Sequence, residues 1–111
     1  IAYRLIGDSY MNLKKYKDAI ISYRKASELY NHEDIHTLYN LGRCYFYIRD
    51  FKNSTKYYKS IVRIEHDYSK AHSELVKTYF SLEKFKEAKK ECDILFMLDR
   101  VLFNSIDYCI N

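Results

Sequence analysis

The sequence predicts an all-α fold of stacked helical hairpins, and three observations carry that expectation. The stretch Tyr45 to Ser54, Tyr-Phe-Tyr-Ile-Arg-Asp-Phe-Lys-Asn-Ser, recurs in near-copies at Tyr10 to Ala19 and Tyr79 to Ala88, offset by 35 and 34 residues. Such a period marks a stacked-repeat architecture rather than a single globular fold. Apolar residues recur near the 3.6-residue helical period along most of the chain. With no proline and two glycines in 111 residues, there is little punctuation for β-turns or long loops.

The elements follow in order. Leu5, Ile6, Tyr10 and Leu13 make one apolar stripe, with Tyr3 and Met11 beside it, so residues 1–13 form a first helix. Lys14-Lys15 is its turn, and a second helix runs from Tyr16 through Ala19, Ile20, Tyr23 and Ala26 to Tyr30. The polar joint Asn31 to Asp34 follows, with Asp34 placed to cap the next helix by accepting from its free backbone N–H groups. The second hairpin covers 35–48 and 51–64 around Arg49-Asp50, and the third covers 69–82 and 85–98 around Glu83-Lys84. Ile106, Cys109 and Ile110 repeat His72, Leu75 and Val76, so residues 103–111 read as the start of a seventh helix. The whole is one domain, 1–111, with repeats at about 1–34, 35–68 and 69–102. Because the pattern is under way at Ile1, the chain reads as part of a longer protein.

Both glycines, Gly7 and Gly42, fall at one repeated helical place. Glycine within a helix costs about 1 kcal/mol relative to alanine, so a close helix approach is expected to compensate. The small residues Ala19, Ser54 and Ala88 are expected to face that point. Val76 stands there in the third repeat, which predicts a wider or shifted hairpin.

Composition narrows the function classes. Hydrophobic residues make up 48% and charged residues 31%, with 13 tyrosines and a formal charge of +4. The two signs of charge alternate along the chain, which favours solvated helix faces over a concentrated nucleic-acid stripe. No apolar run reaches the length of a membrane span, so no membrane contact is expected. Cys44, Cys92 and Cys109 lack C-x-x-C spacing, and an odd count cannot close a full intramolecular set. All three are expected to pack as small hydrophobes in a reducing, intracellular compartment, cytoplasmic or nuclear.

Leu38, Leu41, Gly42, Tyr45, Phe51, Tyr58 and Ile61 resemble the tetratricopeptide repeat, whose 34-residue pattern runs aromatic, Leu-Gly, Tyr, Ala, aromatic, Pro. The closing Pro is missing and Ser54 replaces Ala. The resemblance implies a right-handed α-solenoid whose first helices line a concave groove for a peptide or helix of a partner protein. Projected onto that groove are Arg4, Asp8, Met11 and Asn12, then His36, Tyr39, Asn40, Arg43, Phe46 and Tyr47. The third repeat adds Lys70, Ser73, Glu74, Lys77, Phe80 and Ser81, and Asp107 with Tyr108 closes the far end. Aromatic rings there offer anchor area and the charges offer orientation.

One subfamily of these repeats clamps the C-terminal carboxylates of heat-shock chaperones with Lys, Asn, Asn, Lys and Arg. Asn40 and Lys70 agree and Arg4 substitutes for Lys, but Asp8 replaces Asn and Glu74 replaces Arg. Two added negative charges repel a carboxylate tail. RNA binding is a further alternative, served by Arg4, Arg43, Lys70 and Lys77 but opposed by Asp8, Glu74 and Asp107.

Catalysis has no visible home. His32-Glu33-Asp34-Ile35-His36 matches the H-E-x-x-H zinc motif, yet the repeat register puts it across a joint, with His32 before the helix that holds His36. His66 and His72 have no ligand set at metal spacing, and the charges Lys86, Glu87, Lys90 and Glu91 read as local helix pairs. The expectation is a noncatalytic scaffold without cofactor or metal, which also has open repeat ends for self-association.

Overall fold

The computed structural model describes residues 2–29 and 34–110. Among these described residues eight helices follow one another: α1 Tyr3–Asn12, α2 Tyr16–Leu29, α3 Ile35–Tyr47, α4 Phe51–Ile64, α5 Ser69–Ser81, α6 Phe85–Leu98, α7 Arg100–Asn104 and α8 Asp107–Ile110. The first six pair as the three expected hairpins, stacked into an α-solenoid 45 × 25 × 21 Å in extent. Of the joint at 31–34 and its H-E-x-x-H motif, residues 31–33 lie outside the described residues.

Each hairpin turn is built the same way. The backbone N–H groups of Lys15, Asp50 and Lys84 donate to the carbonyls of Tyr10, Tyr45 and Tyr79, while those of Lys14, Arg49 and Glu83 donate to Met11, Phe46 and Phe80. This pair of bonds is the Schellman arrangement, which satisfies the last carbonyls of the helix and needs a left-handed residue at its hinge. Lys14, Arg49 and Glu83 occupy that hinge at φ of 60°, 66° and 59°, without being glycine.

The core divides along the stack. Ala19, Ile20 and Tyr23 meet Leu41, Cys44 and Tyr45 between hairpins one and two, and Leu38, Tyr58 and Ile61 meet Ala71, Leu75 and Tyr79 between two and three. Tyr45 stacks on Tyr57 at 5.6 Å between ring centres, tying the two helices of the middle hairpin.

Several expectations need correction. The glycine notch is filled by a ring rather than by a second backbone: a Cβ on Gly7 would stand 2.6 Å from Tyr23, and one on Gly42 2.5 Å from Tyr58. Ser54 does face this point as expected: fully buried, it donates its hydroxyl to the Gly42 carbonyl at 2.8 Å. The third hairpin is not widened by Val76, because Cys92 stands where the other hairpins carry tyrosine and the volumes offset each other. Asp34 begins α3 without capping a backbone N–H, and its carboxylate accepts from the Thr37 hydroxyl at 2.7 Å.

The tail does not run as one seventh helix from residue 103. The chain breaks after Leu98, Asp99 caps α7 by accepting from the Leu102 N–H at 3.0 Å, and α8 follows as a separate short helix, with Ile106 and Cys109 packed in one cluster with Val76, Cys92 and Leu95. Cys92 and Cys109 are joined by a disulfide that ties α8 to α6, leaving Cys44 as the buried free thiol. Three cysteines exclude a fully closed set but not one bridge, so the odd count gives no ground for a reducing compartment. Glu91 is not part of a surface charge ladder either. Its carboxylate is buried against His72, with Nδ1 at 3.0 Å, while His72 Nε2 lies 2.7 Å from the His66 carbonyl oxygen. Both neighbours of the ring are acceptors, so both bonds form together only when the imidazole carries two protons. The Glu91 hydrogen bond chiefly, against the opposing effect of burial, raises the His72 pKa above its ordinary value.

Candidate functional site on the first-helix face

The site is built from α1, α3 and α5, and the side chains projected onto it fall into separate groups. At the α1 end, Asp8 Oδ1 accepts from the Tyr23 hydroxyl and lies 3.1 Å from His36 Nε2. Asn40 Nδ2 lies 3.1 Å from the same ring nitrogen, and Arg4 pairs with Asp34 at 3.6 Å. A proton on His36 Nε2 lets the ring donate to Asp8, and a bare Nε2 lets it accept from the Asn40 amide.

The middle of the face holds the pocket. Tyr39, Arg43, Phe46 and Tyr47 of α3 and Glu74 and Lys77 of α5 enclose about 250 Å³. Arg43 donates to the Tyr47 hydroxyl at 3.4 Å, and its guanidinium carbon stands 6.0 and 5.8 Å from the Tyr39 and Tyr47 ring centres. It has no carboxylate partner among the described residues. Glu74 opposite is engaged by the Tyr58 hydroxyl and by Lys77, each at 3.3 Å. Burial, then the Glu74 charge, pushes the Tyr39 hydroxyl up to about 12, which keeps it a proton donor at neutral pH.

An aromatic wall closes the far end. Phe80 meets Tyr108 of α8 at 4.9 Å and Phe85 at 5.5 Å, and the Tyr108 hydroxyl donates to the Phe85 carbonyl at 3.2 Å. Phe46 contacts Phe51 at 5.2 Å, and Tyr47 stacks on Tyr16 at 4.7 Å. The rings at the starts of α2, α4 and α6 therefore continue the anchor area of α3 and α5.

Not every projected residue reaches a groove. Met11 packs into the core between hairpins, its sulfur 3.0 Å from that of Cys44, because the thioether fills the gap between α1 and α3. Ser73 is buried. Lys70 lines a concavity at the joint, with Glu65, Asp67 and Asp99, away from the Tyr39 to Lys77 pocket. Asn12 and Ser81 are exposed at helix ends, where the Ser81 hydroxyl returns to the Lys77 carbonyl at 3.0 Å. Asp107 is exposed at the start of α8.

Two residues of this face went unread in the sequence. Tyr23 and Tyr58 sit on second helices, yet each crosses the glycine of its own hairpin to hand a hydroxyl to an acid of the groove, Asp8 or Glu74. Burial first, then the nearby carboxylate, raises both phenols well above the ordinary tyrosine value, so both remain donors. The signal was the constant spacing of glycine and aromatic in the first two repeats. No group of three His, Cys, Asp or Glu able to hold a metal occurs among the described residues. No helix among them is long and apolar enough to cross a membrane.

Comparisons with known proteins agree with this architecture. Two sequence profiles described as tetratricopeptide repeat match residues 1–33 and 35–68. Those matches take in the two hairpins that carry the glycine and tyrosine pair. A search of curated proteins found no match. Among solved structures, yeast Tom70 superposes with a TM-score of 0.85 at 26% identity, over 98% of this chain and 23% of that one. The first such repeat domain of Spaghetti (RPAP3), bound to the HSP90 peptide SRMEEVD, gives 0.83 at 24% identity, over 98% of this chain and 82% of that one. MamA gives 0.83 at 17% identity, over 97% and 70%. The chain thus spans about a quarter of Tom70, and the last two likenesses speak to fold alone. With six helices in three like hairpins and two repeats matched in sequence, the chain belongs to the tetratricopeptide repeat family.

Proposed function

We propose that this repeat domain is a noncatalytic scaffold that holds a peptide or helix of a partner protein against the first-helix face, centred on the Arg43 pocket. The observation that carries the reading is Arg43 itself. A half-buried guanidinium flanked by two tyrosine rings, with no carboxylate partner among the described residues, offers donors to a backbone carbonyl or acidic side chain arriving from outside. Tyr47 and Phe80, both about half exposed, supply rigid apolar area on either side. Glu74 and Asp8 hold negative charge on the same face, which works against a tail ending in several carboxylates and favours a segment that also carries a basic residue.

The test is a peptide-display selection on the chain, repeated with Arg43→Glu and with Tyr47→Ala, with far-ultraviolet circular dichroism checking the fold of each. Peptides enriched by the parent and lost about tenfold or more by both variants support the groove. Equal enrichment by all three proteins removes it. The acidic peptide SRMEEVD, run beside the selected ones, is expected to bind more weakly than they do. Tighter binding of that peptide transfers the reading to chaperone tails.

A further inference from the structure

The opposite side of the middle hairpin carries a second feature, which the groove does not use. Lys52, Lys56, Lys59 and Arg63 recur at i, i+4, i+7 and i+11 on α4, and no acidic residue occurs between Phe51 and Ile64. At about 100° per residue these four fall within one narrow stripe, roughly 16 Å long at 1.5 Å per residue. None of them is in an ion pair among the described residues. Arg63 donates to the Ser60 hydroxyl at 3.1 Å, and the Lys56 ammonium lies 5.7 Å from the Tyr57 ring centre.

The acids nearest in the chain are otherwise engaged or stand to one side. Asp50 accepts from the backbone and side chain of Asn53, Glu65 follows the helix end, and Glu28 shares a depression with Arg24 as well as Lys56. Along one flank of the stripe runs an open concavity of about 580 Å³, lined by the four cations with Thr55 and Val62 as its apolar floor. Four like charges on one helix face repel each other, which a solvated surface normally relieves by interspersing acids.

We infer that this outer face of α4 docks an acidic, helical segment of another protein, whose carboxylates meet the four cations while an apolar side chain rests on Thr55 and Val62. The shared helical period matches acids to cations pair by pair along the whole stripe. A concavity with an apolar floor suits a side-chain-bearing segment. A bilayer finds no exposed aromatic or large aliphatic on this stripe to insert. Single-stranded nucleic acid finds no free ring to stack on, since Tyr57 is occupied by Tyr45.

The probe is a fluorescein-labelled helical peptide with Glu at i, i+4, i+7 and i+11 and Leu between them, titrated by anisotropy. Its control has the same composition with the Glu residues spread around the helix. The patterned peptide is expected to bind about tenfold or more tightly than its control, and to lose about tenfold with Lys56→Glu/Lys59→Glu and somewhat less with Lys56→Gln/Lys59→Gln. All four positions are exposed, so unchanged melting temperatures certify the folds. Arg43→Glu on the groove side is expected to leave this binding unchanged, which separates it from the proposed groove function. Equal binding of both peptides, or retention by the charge-reversed variant, overturns the inference. Tighter binding of a 20-nucleotide oligothymidine or of phosphatidylserine vesicles overturns it in favour of phosphate recognition.

Discussion

Gly42 and Tyr58 share one volume. A Cβ on Gly42 would stand 2.5 Å from Tyr58 Cε1, and the fully buried ring has nowhere to retreat. Gly7 and Tyr23 repeat the relationship, and in the third hairpin Val76 and Cys92 hold the same two places with the bulk moved from one helix to the other.

Gly42→Ala is therefore expected to destabilise the chain by about 1–3 kcal/mol through overpacking. Gly42→Val with Tyr58→Cys copies the third hairpin, and the double variant is expected to lose at least about 1 kcal/mol less than its two single variants added together. Urea denaturation of all four proteins, with reductant present, measures the coupling. Strict additivity removes the volume-exchange account.

The hinge residues Lys14, Arg49 and Glu83 lie in left-handed backbone, where a Cβ crowds the neighbouring carbonyl at roughly 1–2 kcal/mol. Glu83→Gly relieves that crowding but adds freedom to the unfolded chain, so its net effect is expected between zero and about 1 kcal/mol of added stability. Glu83→Val, β-branched at the same hinge, is expected to fall at least about 1 kcal/mol below the glycine variant. Thermal melts of the pair decide it, and equal melting temperatures contradict it.

His72 predicts how stability depends on pH. Its pKa is raised in the folded state, above all by the hydrogen bond to Glu91, so the folded chain favours the protonated ring. That contribution is complete below the unfolded histidine value of about 6.5 and is lost as pH rises through the higher folded value. Unfolding free energies should therefore fall from pH 5.5 to pH 8.5 more steeply in the parent than in His72→Gln. Matching slopes in the two proteins place the pH dependence elsewhere.

The disulfide between Cys92 and Cys109 closes a loop with a sequence separation of 17. On the chain-entropy account, a loop of this size contributes roughly 3 kcal/mol by restricting the unfolded chain. A dithiol reductant is expected to lower unfolding free energy by about that much and to speed amide exchange chiefly in α7 and α8. Uniform acceleration throughout the stack contradicts a role confined to that end.

Much of the fold was legible because repeat stacking is a local and periodic problem. Each helix of α1 to α6 shows its apolar stripe at 3.6-residue spacing, and each turn follows a tyrosine at a constant offset, so hairpin positions could be read from one strand of text. The site was legible only in part. Arg43, Tyr47 and Phe80 follow from the face opposite the packing stripe, whereas Met11 does not, because a long flexible thioether turns towards whichever gap the next hairpin leaves.

The sequence by itself thus determined the number of hairpins, the places of their turns and, from α2 to α6, which helix face turns inward. All of these depend on residues within a few turns of one another. In α1 the expected stripe does not hold, since Leu5, Ile6 and Leu13 stay exposed and Gly7 is the residue buried. Only the tertiary structure decided that Tyr58 passes over Gly42 to reach Glu74, that His72 is locked between Glu91 and His66, and that Cys109 returns to Cys92. Those pairings join helices whose separation, rotation and offset follow from how side-chain volumes fill the space between them, and no periodicity along a single chain records that.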